Sequence, residues 1–385
     1  MNRARLALVV FTLIATCGIA AADTESFVIR LGRDTVAVER CTRTATRVQV
    51  DQVGRSPRVM NRSFVYDYGG RVLANLHMVV TPAGATAPTQ TVDVARDIDS
   101  LTVTTTAGTD APRVTRVALA PDGMILTSSS PWAAYETQLM RLAHGTADSL
   151  HVTAWYVGAP EPLWFGFRRL GADSAAIYDQ RGSLYHARVD PSGHVLGVLP
   201  IAGTAKFSVV RVADLDLAAL AAAFTARERA DGALGALSPR DTVRAGNAGG
   251  ASLWVDYGRP AKRGREIFGN VVPYGEVWRT GANAATQFRT DKALDFGGTI
   301  VPAGLYTLWT LPTTTGWKLI VNSETGQWGT EHHADKDLFT IGMKSSTLPG
   351  VVERFTIGVE PSAHGGTLNL DWDRTRASAA FTVVP

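Results

Sequence analysis

Ser183–Gly193, SLYHARVDPSG, runs through one short alternating segment and ends on Asp190-Pro191-Ser192-Gly193. Pro191 fixes φ and Gly193 accepts the left-handed position, which together make a strong hairpin signal. Working outward, Ser63–Tyr68, Arg71–Val80, Leu101–Thr106, Arg113–Leu119, His151–Val157, Leu163–Leu170 and Phe207–Val212 carry strand-like patterns. They are punctuated by Pro82-Ala83-Gly84 and Pro121-Asp122-Gly123. Consecutive strands joined by such turns imply an antiparallel meander sheet over residues 23–231. Two helices interrupt it. Ser130-Pro131 can cap and start one with Trp132, Tyr135, Leu139 and Leu142 on one stripe. The other runs from Asp216 to Arg229, with Leu217, Leu220 and Phe224 facing one way.

The composition then changes. Residues 232–250 are rich in Gly, Ala, Ser and Pro and read as an interdomain linker. Only Lys206 among the lysines precedes residue 250, whereas six of the nine tryptophans follow it. From 251 to 385, segments at Ser252–Asp256, Thr286–Thr290, Gly304–Leu311, Trp317–Asn322, Leu338–Met343, Glu353–Val359, Thr367–Asp373 and Ser378–Val383 suggest a β-sandwich of jelly-roll-like type. The expectation is a mainly β protein of two domains. With 45% hydrophobic residues, each is large enough to enclose its own core.

Arg3 and Arg5, the apolar run Leu6–Ala15 and the small residues through Ala22 follow the order of a secretory signal peptide, so residues 1–22 are expected to be removed. That makes the protein exported, periplasmic or secreted. Ile14-Ala15-Thr16-Cys17 offers the alternative of a lipoprotein anchored at Cys17, although Thr16 is bulkier than such boxes usually carry before the cysteine. After cleavage at Ala22 only Cys41 remains, which rules out an internal disulfide. Loss of two arginines and no acid lowers the net charge from +3 to +1. Nothing in that balance suits a nucleic-acid partner, and no later apolar run is long enough for a membrane span.

The stretch Asp256–Thr286, DYGRPAKRGREIFGNVVPYGEVWRTGANAAT, lacks periodicity and concentrates cations, aromatics, prolines and glycines; irregular stretches of this length are usually functional. Tyr257-Gly258-Arg259-Pro260, Gly264-Arg265-Glu266-Ile267-Phe268-Gly269, Trp278-Arg279-Thr280-Gly281-Ala282-Asn283, Pro302–Leu308 and Gly326-Gln327-Trp328-Gly329-Thr330 occur in order. Together they resemble the bacterial domain-of-unknown-function family 2911, from about residue 252 to the C-terminus. The resemblance implies a domain boundary, an exported protein and a site, but no reaction. Where many relatives have an acid after Gly-Ala-Asn, this chain has Ala284.

Within that stretch Arg259, Arg265 and Arg279 are candidates to hold a carboxylate, phosphate or sulfate bidentately. Tyr274 and Trp278 would wall the site and Asn283 would supply both donor and acceptor. Asp256, Glu266 and Glu276 offer the competing reading, a loop-pinning ionic network to which Lys262 and Arg263 are assigned. Two functions remain: a binding module for a small anionic or glycan ligand, or an envelope hydrolase using Glu266 or Glu331 as acid or base. No G-x-S-x-G elbow, P-loop, dinucleotide fingerprint, HExxH or CxxC occurs, and no cofactor is expected. His332, His333 and Asp335 are metal-capable, but adjacent histidines on an extended chain point apart, so a solvated loop is the favoured reading and no metal is expected.

Overall fold

The computed structural model describes residues 23–70, 72–203 and 206–385; the expected signal segment 1–22, with Cys17, lies outside them. Fifteen strands precede residue 213. The first eight are β1 (Asp23–Leu31), β2 (Asp34–Arg43), β3 (Arg47–Gly54), β4 (Met60–Gly69), β5 (Val72–Pro82), β6 (Gln90–Arg96), β7 (Ser100–Ala107) and β8 (Arg113–Ala118). They are followed by β9 (Met124–Leu126), helix α1 (Trp132–His144), β10 (Ser149–Tyr156), β11 (Leu163–Gly171), β12 (Ser174–Asp179), β13 (Leu184–Val189), β14 (Val195–Ala202) and β15 (Phe207–Val212). Alternate burial is clearest in two strands: β6 buries Val92 and Val94 around exposed Asp93, and β13 buries Tyr185, Ala187 and Val189 around exposed His186 and Arg188.

All fifteen form one sheet in the order β8 to β1, then β15 back to β9. The first and last strands pair antiparallel, Ser26–Leu31 against Phe207–Val212, so the two ends of the meander meet in mid-sheet. The expectation of an antiparallel sheet needs one correction. β9 and β10 run parallel, because the chain between them crosses over through α1, the kind of connection a parallel pair requires. The sheet is therefore mixed. Strands such as β2 and β3 carry Glu39, Arg40, Asp51 and Gln52 among their apolar residues, which hid them from the pattern.

α1 is packed on several sides. Trp132, Leu139 and Leu142 join a core with Phe27, Phe165 and Phe167, while Ala133 joins a second core with Phe64, Leu101 and Trp155. The cap expected from Ser130 is not formed; its hydroxyl bonds Thr127, and Glu39 of β2 instead accepts from the Trp132 amide at 2.8 Å. A second buried acid, Glu136, accepts from Val195 N at 2.7 Å and from Arg43 at 3.1 Å, tying the helix to β14 and β2. Helix α2 (Leu217–Asp231) is capped by Asp216 and lays Leu217, Leu220 and Phe224 against Val38, Val53 and Val59 on the outer side of β2 and β3.

The second sheet contains β16 (Arg240–Ala248), β17 (Ala251–Gly258), β18 (Thr286–Thr290), β19 (Leu294–Asp295), β20 (Ile300–Val301), β21 (Gly304–Pro312), β22 (Trp317–Asn322), β23 (Asp337–Ser362) and β24 (Gly365–Val383). Its order is β16-β17-β18-β21-β22-β23-β24-β19-β20, antiparallel throughout. β16 also lies against β23 and β24, so the sheet curls around one core holding Leu253, Phe288, Trp317, Phe355, Leu370 and Phe381. The four C-terminal segments expected as separate strands are two long ones. Pro349 and Gly350 are absorbed by register shifts between Thr347 and Thr356 instead of ending the strand.

The segment 232–250 is not a free linker. Arg240–Ala248 is a strand, and Leu234 and Leu237 pack on the N-terminal core, with Gly235 N bonded to Pro57 O at 2.9 Å. Apolar side chains within a Gly- and Ala-rich segment dock it. The two units also meet at the β1–β2 turn. Arg33 N donates to Arg263 O at 2.9 Å, and the buried Arg263 guanidinium pairs with Asp34. Gly32 has φ +60°, and a Cβ there would lie 2.3 Å from Arg263 O, so only glycine permits this approach.

Candidate functional site

The irregular stretch 259–283 is held by side chains it inserts into the C-terminal core. Ile267, Val272 and Trp278 are buried there, and Trp278 stacks on Trp372 with ring centroids 5.9 Å apart while meeting Phe355 edge-on at 5.0 Å. Trp278 also exchanges backbone hydrogen bonds with Thr310, at 2.7 and 2.8 Å. One edge of the loop is thereby made part of the sheet.

Its cations then divide by partner. Arg259 donates to Phe355 O, Thr356 Oγ1 and Asp241, the last at 2.8 Å, so all of its fork is spent on joining strands. Lys262 bonds Asp373 and Arg265 O, and Arg263 is the interdomain pin. Arg265 donates to Ala261 O at 2.6 Å and Lys262 O at 3.0 Å but has no carboxylate partner among the described residues. Among the described residues Arg279 makes a single hydrogen bond, 3.4 Å long, to Gly329 O, and its Nε is shut from solvent with no partner.

Arg265 and Arg279 share a cleft of about 510 Å³ between the two units. Trp278, Thr330 and His332 line the same side, and Leu31, Lys206 and Leu237 line the other. Among the described residues Glu276 is its only lining carboxylate, and it is exposed. The electrostatics follow from that imbalance. Burial without a compensating charge pushes the Arg279 guanidinium down to about 10, and burial followed by repulsion from Arg263 lowers Arg265. Lys206 is lowered by burial, then by Arg279 and Arg265. Thr330 Oγ1, on the same wall, is likewise buried with no partner. The cleft thus holds three cations and two orphaned polar atoms, where a buried unpartnered group normally costs stability.

The expected binding set is brought together only in part. Arg265, Trp278 and Arg279 meet in the cleft, whereas Arg259, Tyr274 and Asn283 do not line it. Tyr274 is exposed beside Gly269, and Asn283 takes a left-handed φ of 64° and donates to Ser238 O at 3.4 Å. Glu266 and Glu331, the expected acid–base carboxylates, are both exposed and off the cleft, and Glu331 accepts from Trp328 N. Lys206 and Thr330 were missed by sequence reasoning. Thr330 closes the Gly326–Thr330 run that carried the family resemblance, while Lys206 had only its isolation among N-terminal residues to mark it.

His332, His333 and Asp335 form no shared ligand set: they pair separately with Asp337 at 2.9 Å, Glu324 at 2.6 Å and Lys336 at 3.4 Å. Among the described residues, Asp23, Glu25 and His194 have ligand-capable atoms within 4.8 Å of one another. However, Arg211 already pairs with Glu25 at 3.2 Å and Asp190 holds His194 at 3.0 Å, so a cation there would compete with an arginine. No helix of the described residues is long and apolar enough to cross a membrane.

The fold and cleft define a mainly β protein of two sheets with a cationic site between them. Residues 238–381 of the chain are a domain of the family described as "Protein of unknown function (DUF2911)", and the N-terminal part has no family assignment. No curated protein matches the chain. Among solved structures, a DUF1089 family protein from Pseudomonas aeruginosa is 16% identical with a TM-score of 0.32, over 43% of this chain and 90% of that one. A β-barrel-like protein of domain family DUF1849 from Brucella abortus is 11% identical with a TM-score of 0.31, over 49% and 93%.

Proposed function

We propose that the protein is a binding module for a small anionic ligand, held in the cleft between its two sheets by Arg279 and Arg265 of the C-terminal unit and Lys206 of the N-terminal one. The observation that carries this reading is that Arg279 Nε and Thr330 Oγ1 are buried without partners on one wall of a cleft whose cations outnumber its carboxylates. A carboxylate, sulfate or phosphate oxygen would accept from both and relieve the repulsion that lowers Lys206. Trp278 lends a wall, although its stacking on Trp372 leaves its ring less free for a sugar than a glycan platform needs. The expected acid–base carboxylates lie off this cleft, which leaves the hydrolase reading without an observation in its favour. We read the curled C-terminal sheet as a jelly-roll-like sandwich whose loop end carries the site.

Calorimetric titration with inorganic phosphate, sulfate and acetate tests the proposal. At least one should bind saturably to the wild type, and Arg279→Gln should weaken that binding about tenfold or more, the value of a hydrogen bond to a charged group. Absence of binding by all three anions, or unchanged affinity in Arg279→Gln, overturns it.

A further inference from the structure

A second cavity, of about 310 Å³, is lined by strands of the fifteen-stranded sheet, by α1 and by Leu237; we term it the inner cavity. Ile29, Trp132, Tyr135, Phe165 and Phe207 form its apolar wall, and Thr127–Ser130, with Gln52, Arg62 and Asp179, supply its polar parts. The aromatic walls are already assembled. Trp132 meets Tyr135 at 5.1 Å, and Tyr135 stands edge-on to Phe165 at 5.7 Å. That volume, with an aromatic wall facing a few polar groups, is that of a small-molecule pocket, and the ring faces lining it offer a ring-bearing ligand partners for stacked or edge-on contacts.

The two cavities are neighbours across one side chain. Leu237 lines both. On β1, Ile29 faces the inner cavity and Leu31, two residues on and on the same face, faces the cleft; Phe207 and Lys206 divide likewise, as do Ser183 and Gly182. The second cavity therefore adjoins the cleft that holds Arg265, Arg279 and Lys206, with Leu237 at their boundary. Leu237 belongs to the irregular segment joining α2 to β16, so its displacement needs no strand to break.

We propose that the inner cavity receives the apolar body of the same ligand whose anionic head occupies the cleft, so that the ligand is a small ring-bearing amphiphile with one carboxylate, sulfonate or phosphate group and Leu237 is the gate between its two halves. This rests on the anion reading of the cleft. Two probes separate the parts: 1-anilinonaphthalene-8-sulfonate has head and rings, and N-phenyl-1-naphthylamine has the rings alone.

Both probes should bind the full chain with enhanced fluorescence, and inorganic phosphate should compete with the sulfonate only. Arg279→Gln should weaken the sulfonate about tenfold and leave the neutral probe unchanged. Ala37→Leu, which adds bulk to the inner wall, should weaken both probes; Leu237→Ala, which widens the passage, should speed association of both. If phosphate binds but the neutral probe does not, the amphiphile inference fails while the anion site stands. If the neutral probe binds but Arg279→Gln leaves the sulfonate unaffected, the anion site fails, and the single-ligand inference with it. Ala37→Leu that melts like the wild type yet binds both probes normally also overturns the inner-cavity assignment.

Discussion

Replacing Arg279 by methionine should make the ligand-free protein more stable while abolishing its anion binding. Burial alone pushes the guanidinium well below its ordinary value, to about 10, with no charge partner to offset it. At about 1.4 kcal/mol per unit, holding it charged costs about 3 kcal/mol. Against this stands one long hydrogen bond to Gly329 O, at 3.4 Å, a contribution of about 1 kcal/mol or less. Methionine keeps an unbranched apolar stem along Gly329, where a Cβ would lie 2.1 Å from Arg279 Cδ, and it leaves no charge to desolvate. The net expectation is a gain of about 2 kcal/mol, within the range found when buried ions are replaced by packed apolar groups, and a melting temperature higher by about 5 °C. Thermal unfolding followed by near-ultraviolet circular dichroism in phosphate-free buffer reads the first half, and calorimetric titration the second. A variant that melts several degrees lower would show that Arg279 is a structural pin, and the argument from its uncompensated burial would be refuted.

Two other perturbations probe what positions the cleft. Glu39 is fully buried at the α1 N-terminus, and desolvation raises its carboxyl from the ordinary value of about 4.5 to about 7. The unfolded carboxyl ionises first, so stability should fall as pH rises from about 4.5 through 7, by up to about 3 kcal/mol; Glu39→Gln should remove most of that slope, being stabilising at pH 8 and near neutral at pH 5 in urea midpoints. Asp34→Ala strips the partner from buried Arg263 and should weaken docking of the two units by about 3 kcal/mol, splitting thermal unfolding into two transitions and exposing residues 232–239 to protease; a single unshifted transition would rule that pin out.

What the sequence revealed and concealed follows from the range of the interactions. Pro191 and Gly193 act locally, and the hairpin they announce joins β13 to β14. Trp132, Leu139 and Leu142 share the expected helical stripe because period alone fixes it. The pairing of β1 with β15 joins residues nearly two hundred positions apart, and no local pattern encodes it. Glu39 illustrates the same limit: its capping partner lies 93 residues away, while the adjacent Ser130, the natural local choice, bonds elsewhere. In the site, Arg259 and Arg279 are alike as letters in the sequence. Three hydrogen-bond partners make one a strand clamp, and a single long bond leaves the other a candidate for binding.

Lys206 carries that contrast into the organisation of the whole molecule. It stands in the β14–β15 connection, and its amine donates to Ile201 O at 3.0 Å, yet the charges that lower it belong to Arg279 and Arg265 across the cleft. Like charges facing one another across an interface oppose docking, and here they do so beside contacts that favour it: the Arg263–Asp34 pair, the Arg33 to Arg263 backbone bond and Arg181 over the Trp328 ring at 5.3 Å. An anion seated among the three cations would convert the opposing part of the interface into an attractive one. Ligand binding and domain docking would then be thermodynamically linked, each strengthening the other by the same factor. On that account the N-terminal sheet contributes a third of the cationic lining and the apolar side of the mouth, a larger part than that of a passive scaffold.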